Sequence, residues 1–460
     1  MGKLIQAANR LRKWIIPLAA AGCIPWGVRS QPREAAEDSV QTFSLDDCIA
    51  YALQHQPGMN QSLIGISIAK TTNAINLSGW LPQVSVSGNL VHYNTLPTTL
   101  VPNTTNPGGT PATTHTGVVN TAIPELTASQ TIFDPQLLYT AMSAHLFVEQ
   151  AEQYSDSTKI SIVSTVSKTF YNLLFTLEQV NVLKEDTARL GTDVHDTYHQ
   201  FVGGLADETD YEQAVITLNN SKAQLRQQIE NIGPGYASLK RLMGYAPDKQ
   251  FNVTYDTAGM MKEIAYDTTL PLQYEKRIEY REIETQKQLA QHLTGYYELS
   301  FLPSVSAFYN YAYEYENNSS SQLFKQAYPY SFFGLSISLP IFTGFSRLEN
   351  IHRSQLQEQQ VDLAEANLKS QIYAEYTSAL ANYKSNLYNL TLLQENRTRA
   401  TNVRRIVSLQ YNQGVVGYLN IIVAEANLIS AEIGYLDALF QVLSSKIDLE
   451  KAMGDIPYSH

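Results

Sequence analysis

The sequence predicts a mainly α-helical chain that carries part of a membrane β-barrel, with one helix–hairpin–long helix–shorter helix unit written twice. Three observations predict it. Short motifs recur in fixed order at nearly constant spacing. From Phe345 to Gln413 there are 69 consecutive residues without Gly or Pro. After Leu302-Pro303 the residues alternate between aromatic and polar, the period of a two-faced strand.

Composition sets the outer limits. The chain has 460 residues, 32 Lys+Arg against 43 Asp+Glu, a net charge of −11, 29 Tyr and two Cys. That acidic balance offers no basic stripe to neutralise phosphates, which argues against nucleic-acid binding. Beyond the first thirty residues no run of eighteen apolar residues occurs, which excludes a helical membrane bundle but not a barrel, whose strands give a weaker signal. The tyrosine excess needs an explanation.

Residues 1–30 read as an export signal. Lys3, Arg10, Arg12 and Lys13 form a basic start, and Trp14 to Gly22 an apolar stretch too short to span as a helix. Ala20-Ala21-Gly22-Cys23 resembles a lipoprotein cleavage box, which makes Cys23 a candidate lipidation residue; cleavage after Ser30 is the alternative. Residues 31–44 form an N-terminal extension. After processing at most one cysteine besides Cys48 remains, so no disulfide framework is expected.

The first repeat covers 45–269 and the second 270–454, with 455–460 as a tail. Leu81-Pro82-Gln83-Val84-Ser85 returns as Leu302-Pro303-Ser304-Val305-Ser306, and Ile132-Phe133 as Ile341-Phe342. Gly204 matches Gly414, Ala214 matches Ala424, Leu218 matches Leu428, and Met243-Gly244 matches Met453-Gly454. These four pairs share one offset, 210 (414 against 204). Repeats of this kind decide the fold before any single motif does.

Each repeat reads as a helix, two strands, a long helix and a shorter one. The stretch 345–413 predicts a helix of roughly 100 Å, and its polar content places it in water. The first-half counterpart, Gln136–Val202, is interrupted only by Gly191. In the second repeat, strands at about 304–315 and 331–342 place Val305, Ala307, Tyr309, Tyr311, Tyr313 and Tyr315 with Phe333, Leu335 and Ile337 on one face. Ser, Asn and Glu take the other. One face suits lipid and the other water. A hairpin half-buried on a soluble core is the competing reading. Tyr328 and Tyr330 are assigned to the lipid side and its interfacial girdle, and Tyr373, Tyr376, Tyr383 and Tyr388 to helix packing. Strands at about 83–93 and 126–133 form the first hairpin, and the connection Asn94–Glu125 reads as a surface loop. Four strands cannot close a barrel, so the chain must oligomerise if they span a membrane.

The paired Leu-Pro-x-Val-Ser motifs and Ile-Phe pairs carry a resemblance to a known family. So do Phe201-Val202-Gly203-Gly204-Leu205 and Tyr411-Asn412-Gln413-Gly414, each followed by an Ala-rich helix ending in Met-Gly. Over roughly residues 45–454 the sequence resembles TolC-like outer membrane efflux proteins, the outer membrane factors. The resemblance implies a homotrimer whose protomers each give four strands to one twelve-stranded barrel in the outer membrane of a Gram-negative bacterium. It also implies an α-helical tunnel in the periplasm, a periplasmic adaptor (membrane fusion protein) as partner, and an inner-membrane pump. The function implied is the exit duct of a tripartite efflux pump or a type I secretion system. A lipid-anchored or soluble periplasmic coiled-coil scaffold is the alternative.

In that family the helical tips dock the adaptor and gate the pore. Val202, Gly203, Gly204 and Leu205, and Gly414, Val415, Val416 and Gly417, fall at the tips here. Glycine at such a turn is first a backbone device. Tyr411 matches the family's gate tyrosine, and Thr209-Asp210 match its first-tip pair. Asn420 and Val423 stand where gate carboxylates are expected, and Val416 where a basic residue is, so that gate is not carried over. Asp207, Glu208 and Asp210 supply either an acidic ring in a trimer or an ordinary acidic helix start.

No catalytic pattern emerges. There is no Gly-x-Ser-x-Gly elbow, phosphate loop or Cys-x-x-Cys. The carboxylates read as solvated helix positions without a convergent pair. His195 and His199 have a metal-compatible spacing but no third ligand nearby. No enzyme activity, metal or cofactor is expected.

Overall fold

A computed structural model describes residues 41–101, 112–255, 260–261 and 264–457. The expected signal segment with Cys23 lies outside the described residues, as do most of the extension 31–44 and residues 458–460 of the tail. Thr42–His460 forms one unit.

β1 (Gln41–Phe43) leads into α1 (Leu45–His55), which starts at a capping box. The Asp47 carboxylate accepts from the Ser44 N–H at 2.9 Å, while the Ser44 hydroxyl accepts from the Asp47 N–H. α2 (Pro57–Leu77) descends to the strands β2 (Gln83–His92), β3 (Thr98–Val101), β4 (Ala112–His115) and β5 (Asn120–Phe133). Asp134 then caps α3 (Pro135–Val202), with Pro135 in the first turn, where its missing N–H costs nothing. α3 runs 68 residues and passes through Gly191 without a break. α4 (Glu208–Met243) returns antiparallel, followed by β6 (Phe251–Val253). The second repeat supplies α5 (Ile278–Leu299), β7 (Ser304–Asn317), β8 (Ala327–Ser338), α6 (Ser346–Asn412) and α7 (Tyr418–Met453).

The two hairpins join into one antiparallel sheet of order β2-β5-β7-β8. Its register carries a single apolar face across all four strands. Val86 pairs with Leu126, Leu126 with Tyr311, Ala128 with Tyr309, and Tyr309 with Phe333. The opposite face holds the row Ser85, Thr127, Asn310 and Phe332. In the isolated chain the apolar face is bare: Val86 is 77% exposed and Phe333 85%. β2 and β8 are both open edges.

Three expectations need correction here. The connection Asn94–Glu125 is not simply a loop. β3 and β4 pair as a short ribbon within it, residues 102–111 lie outside the described residues, and β5 starts already at Asn120. Pro124 hid that start, because proline cannot donate to a ladder. The β5–β7 pairing does skip from Ala122 to Glu125 around it. The last strand runs 327–338 rather than 331–342. Pro340 ends it, and Arg347 donates instead to the Pro340 carbonyl at 2.9 Å. Finally, Tyr328 and Tyr330 pair with Glu314 and Ala312, which places them on the polar face, opposite to Tyr309–Tyr315.

A main core lies midway along the helices. Cys48, Ala52, Val166, Phe170, Leu174, Leu239, Met243, Leu443 and Leu449 are buried together, with Tyr383 from α6 donating to the Ile264 carbonyl at 2.7 Å. Tyr376 packs on this cluster, but Tyr373 and Tyr388 are 58% and 69% exposed. α7 is the one helix among the described residues long and apolar enough to cross a membrane. Its buried side is spent on neighbouring helices: Ile421, Ala424, Leu428, Leu439 and Leu443 all face inward.

Candidate functional site: helix tips and the charged joint behind them

The two tips are built alike. At the first, Gly204 takes φ +72°, the Leu205 N–H reaches the Gln200 carbonyl at 2.8 Å, and the Gly204 N–H reaches Phe201 at 2.9 Å. At the second, Gly414 takes φ +70°, the Val415 N–H reaches Gln410 at 2.9 Å, and the Gly414 N–H reaches Tyr411 at 2.8 Å. This is the left-handed helix stop that satisfies the last carbonyls. The motif repetition thus has a backbone cause. Val202, Gly203, Leu205, Val415 and Gly417 are exposed, and Val416 is half-buried.

The structure places Asp207 at the N-cap of α4, with Glu208, Thr209 and Asp210 in its first turn. None of these carboxylates forms an ion pair among the described residues. Asn420 is exposed, its amide donating to the Gly417 carbonyl at 3.3 Å. Tyr411 stacks edge-on with Tyr418 at 5.6 Å, over a small cluster of Ala214, Tyr418 and Ile421. Both hydroxyls are buried; that of Tyr418 meets no hydrogen-bond partner among the described residues, and Thr197 is the polar side chain acting on that of Tyr411. Burial above all raises both tyrosines, helped by Asp210 and Asp193 at Tyr411 and by Asp193 at Tyr418, so both stay neutral. His195 and His199 meet edge-on at 4.4 Å on an exposed face, and no metal-binding group of three or more ligands occurs among the described residues.

Behind the tips lies an arrangement that the sequence reading missed. The carboxylates expected to be solvated converge here. Arg404 on α6 donates to both Asp193 oxygens on α3, at 2.8 and 3.1 Å, and to Glu425 on α7. Arg189 on α3 donates to the other Glu425 oxygen at 2.9 Å and lies 3.7 Å from Glu432. Asp186, fully buried, accepts from the Ser221 hydroxyl on α4, and its second oxygen stays unsatisfied 3.6 Å from Arg189. Burial, with the charge of Glu425 beside it, pushes Asp186 up to about 6, against the pull of Ser221 and Arg189. Burial would raise Glu425 too, but Arg404 and Arg189 hold it below the usual range. Four helices from both repeats are pinned at one point. A signal existed in the sequence: Asp186, Arg189 and Asp193 stand at i, i+3 and i+7, and Glu425 and Glu432 at i, i+7, which is the spacing of a single helix face.

The chain thus combines long paired helices with glycine-stopped tips and a four-stranded sheet with one bare apolar face. Comparison with known proteins finds the same combination of fold features elsewhere. Residues 281–455 match the model for outer membrane efflux proteins. The chain is similar in fold to CusC (TM-score 0.74, 18% identity, 89% of this chain and 91% of that one). It is likewise similar to the Campylobacter jejuni outer membrane channel CmeC (TM-score 0.71, 18% identity, 97% and 94%). Among curated relatives it is 22% identical over 303 residues to an uncharacterized protein of Haemophilus influenzae, and 23% over 167 residues to toxin and drug export protein A of Aggregatibacter actinomycetemcomitans. These alignments cover 63% and 35% of the relatives, so the chain spans less than two thirds of either. The likeness to TolC-like outer membrane efflux proteins therefore holds in sequence over the second repeat and in fold over nearly the whole chain. That family consists of channels, not enzymes.

Proposed function

We propose that three copies of this chain form an outer-membrane exit duct. The observation that carries the reading is the sheet: one continuous apolar face, one mostly polar face and two open edges. Unpaired backbone groups at β2 and β8 cannot be left in lipid. Pairing β8 of one protomer with β2 of the next satisfies them, and three protomers give a twelve-stranded closed barrel. The helices continue as a periplasmic tunnel. The tips at Val202–Leu205 and Gly414–Gly417 meet a periplasmic adaptor, which joins the duct to an inner-membrane pump of an efflux or type I secretion system. Asp207, Glu208 and Asp210 form an acidic ring at the entrance, with Tyr411 behind it. Residues 1–30 direct export, with Cys23 as the candidate lipid anchor.

The test is extraction and conductance. A heat-modifiable trimer that leaves outer membranes only with detergent, and that opens conducting pores in planar bilayers, is expected. Release by alkaline wash as a non-conducting coiled coil would sink the duct and favour a periplasmic scaffold. Neutralising Asp207, Glu208 and Asp210 together should lower cation selectivity; unchanged selectivity would remove the acidic ring.

A further inference from the structure

The polar face of the sheet is not uniformly polar. Successive rows across it read Ser85–Thr127–Asn310–Phe332, then Ser87–Glu125–Ala312–Tyr330; beyond them Asn89 pairs with Ile123 and Glu314 with Tyr328, on either side of the gap in the β5–β7 ladder. Small hydroxyl and amide side chains fill one side, and large rings the other. Phe332 is 46% exposed and Tyr330 41%. Their rings lie nearly parallel, 11° apart with centroids at 6.3 Å, and Phe308 meets Phe332 edge-on at 6.1 Å. Gly334 makes room for this: a Cβ there would come within 2.8 Å of the Phe308 ring. On the apolar face the same strand pair is inverted, with Tyr311 and Tyr313 opposite Ser331 and Pro329. The rings therefore sit on the water side although the lipid side of β8 has only small residues at those rows.

Charge accompanies them. Glu314 stands directly opposite Tyr328, a cross-strand distance of about 5 Å. Glu125 lies across the small Ala312 from Tyr330, roughly 10 Å away over two strand spacings. Glu316 follows Glu314 on the same face. No Lys or Arg occurs in any of the four strands. An aromatic wall, a low alanine floor and a carboxylate wall form a niche with one chemical preference. Ring faces attract cations, and most strongly those that also bury apolar surface. The carboxylates supply long-range attraction in a site without competing positive charge.

We propose that this face is a binding station for aromatic organic cations in transit, with Tyr330 and Phe332 as the stacking wall and Glu125, Glu314 and Glu316 as the counter-charges. The inference rests on the duct reading, which turns this face toward the lumen. Small inorganic cations feel only the carboxylates. Flat or aryl-substituted cations feel both walls and linger.

The experiment uses the full-length trimer in planar bilayers with tetraphenylphosphonium as probe and tetramethylammonium as control. The wild type should show block by the aryl cation and none by the small one. Tyr330→Ser with Phe332→Ser should weaken that block at least tenfold while keeping cation selectivity. Glu125→Gln with Glu314→Gln and Glu316→Gln should weaken the block at least tenfold and also lower cation selectivity, part of which the tip carboxylates retain. If the serine variant fails to form trimers, Tyr330→Leu with Phe332→Leu keeps the apolar bulk and should also lose the block. A conducting wild type that is not blocked, or block unchanged in the serine or leucine variant, overturns the station alone. A trimer that never conducts overturns the duct and the station together.

Discussion

The two repeats share one element order, yet their long helices live in different surroundings. α3 buries twenty of its residues and packs chiefly on α2, α4, α5 and α7. α6, one residue shorter, buries six and packs chiefly on α5 and α7. Leu363, Tyr373, Tyr388 and Leu409 of α6 are all more than half exposed. The first repeat is thus packed largely inside the protomer, whereas the second leaves an apolar, tyrosine-bearing face of α6 exposed. Under the duct reading proposed above, that face meets a neighbouring copy, which moves part of the tyrosine excess out of intrachain packing.

The largest effect should come from breaking that asymmetry. Leu363→Glu with Tyr388→Glu places charge on the waiting face of α6. It should abolish the trimer in native mass spectrometry while leaving the helical circular dichroism of the chain intact. A stable trimer would show that α6 faces solvent instead.

Next comes the one place where both repeats are tied by charge. Arg404→Ala leaves Glu425, which is 1% exposed, with Arg189 as its remaining ion-pair partner and takes away the partner of Asp193. Breaking a buried pair outright costs about 3–5 kcal/mol, and the retained Arg189 keeps this loss toward or below the lower end. Hydrogen exchange should therefore rise in the lower halves of α3, α6 and α7 but not in the core around Phe170. A variant that protects these segments as well as wild type would mean that the joint holds nothing.

The same joint predicts a pH dependence whose sign is fixed. Asp186 has a folded value raised to about 6 from 3.8. Its protonated form is favoured in the folded state, so the stabilisation is fully present below about 3.8 and is lost as pH rises through about 6. Asp186→Asn removes the titration. Its tips should exchange like wild type only below about pH 3.8 and more slowly than wild type at pH 7.5, with the gap opening between those limits. Parallel profiles for the two proteins would refute the assignment.

How much of this was legible in the sequence follows the same physical lines. The repeats, the long helices and the β7 alternation were visible because each repeats a local pattern many times. Pro124 and Pro329 concealed the ends of β5 and β8, since proline reads as a strand breaker where the ladder tolerates a skipped or edge position. The side taken by Tyr328 and Tyr330 depended on register, which hydropathy alone does not fix. The charged joint left only a faint trace, the one-face spacing of Asp186, Arg189 and Asp193, because a carboxylate on a long polar helix looks solvated until a partner from residues two hundred positions away covers it.

The smallest predicted effect tests whether the repeated glycines do one job or two. Gly204 and Gly414 at the tips and Gly244 and Gly454 near the core all take positive φ, between 69° and 76°. A side chain pays for that region everywhere, by roughly 1–2 kcal/mol. The surroundings differ. A Cβ at Gly204 or Gly414 meets nothing within 4 Å. At Gly244 it would lie 2.7 Å from the His55 carbonyl oxygen, and at Gly454 2.7 Å from that of Lys276, both backbone atoms that cannot swing aside. Gly414→Ala should therefore cost about 1 kcal/mol, and Gly414→Asn less, since asparagine tolerates this conformation. Gly454→Ala should cost roughly 2–3 kcal/mol, and asparagine should not rescue it, because the clash remains. Thermal melts of the four single variants separate the cases. Equal losses at tip and core would mean that the core helices have room to shift, and that Met-Gly repeats for its backbone angle alone.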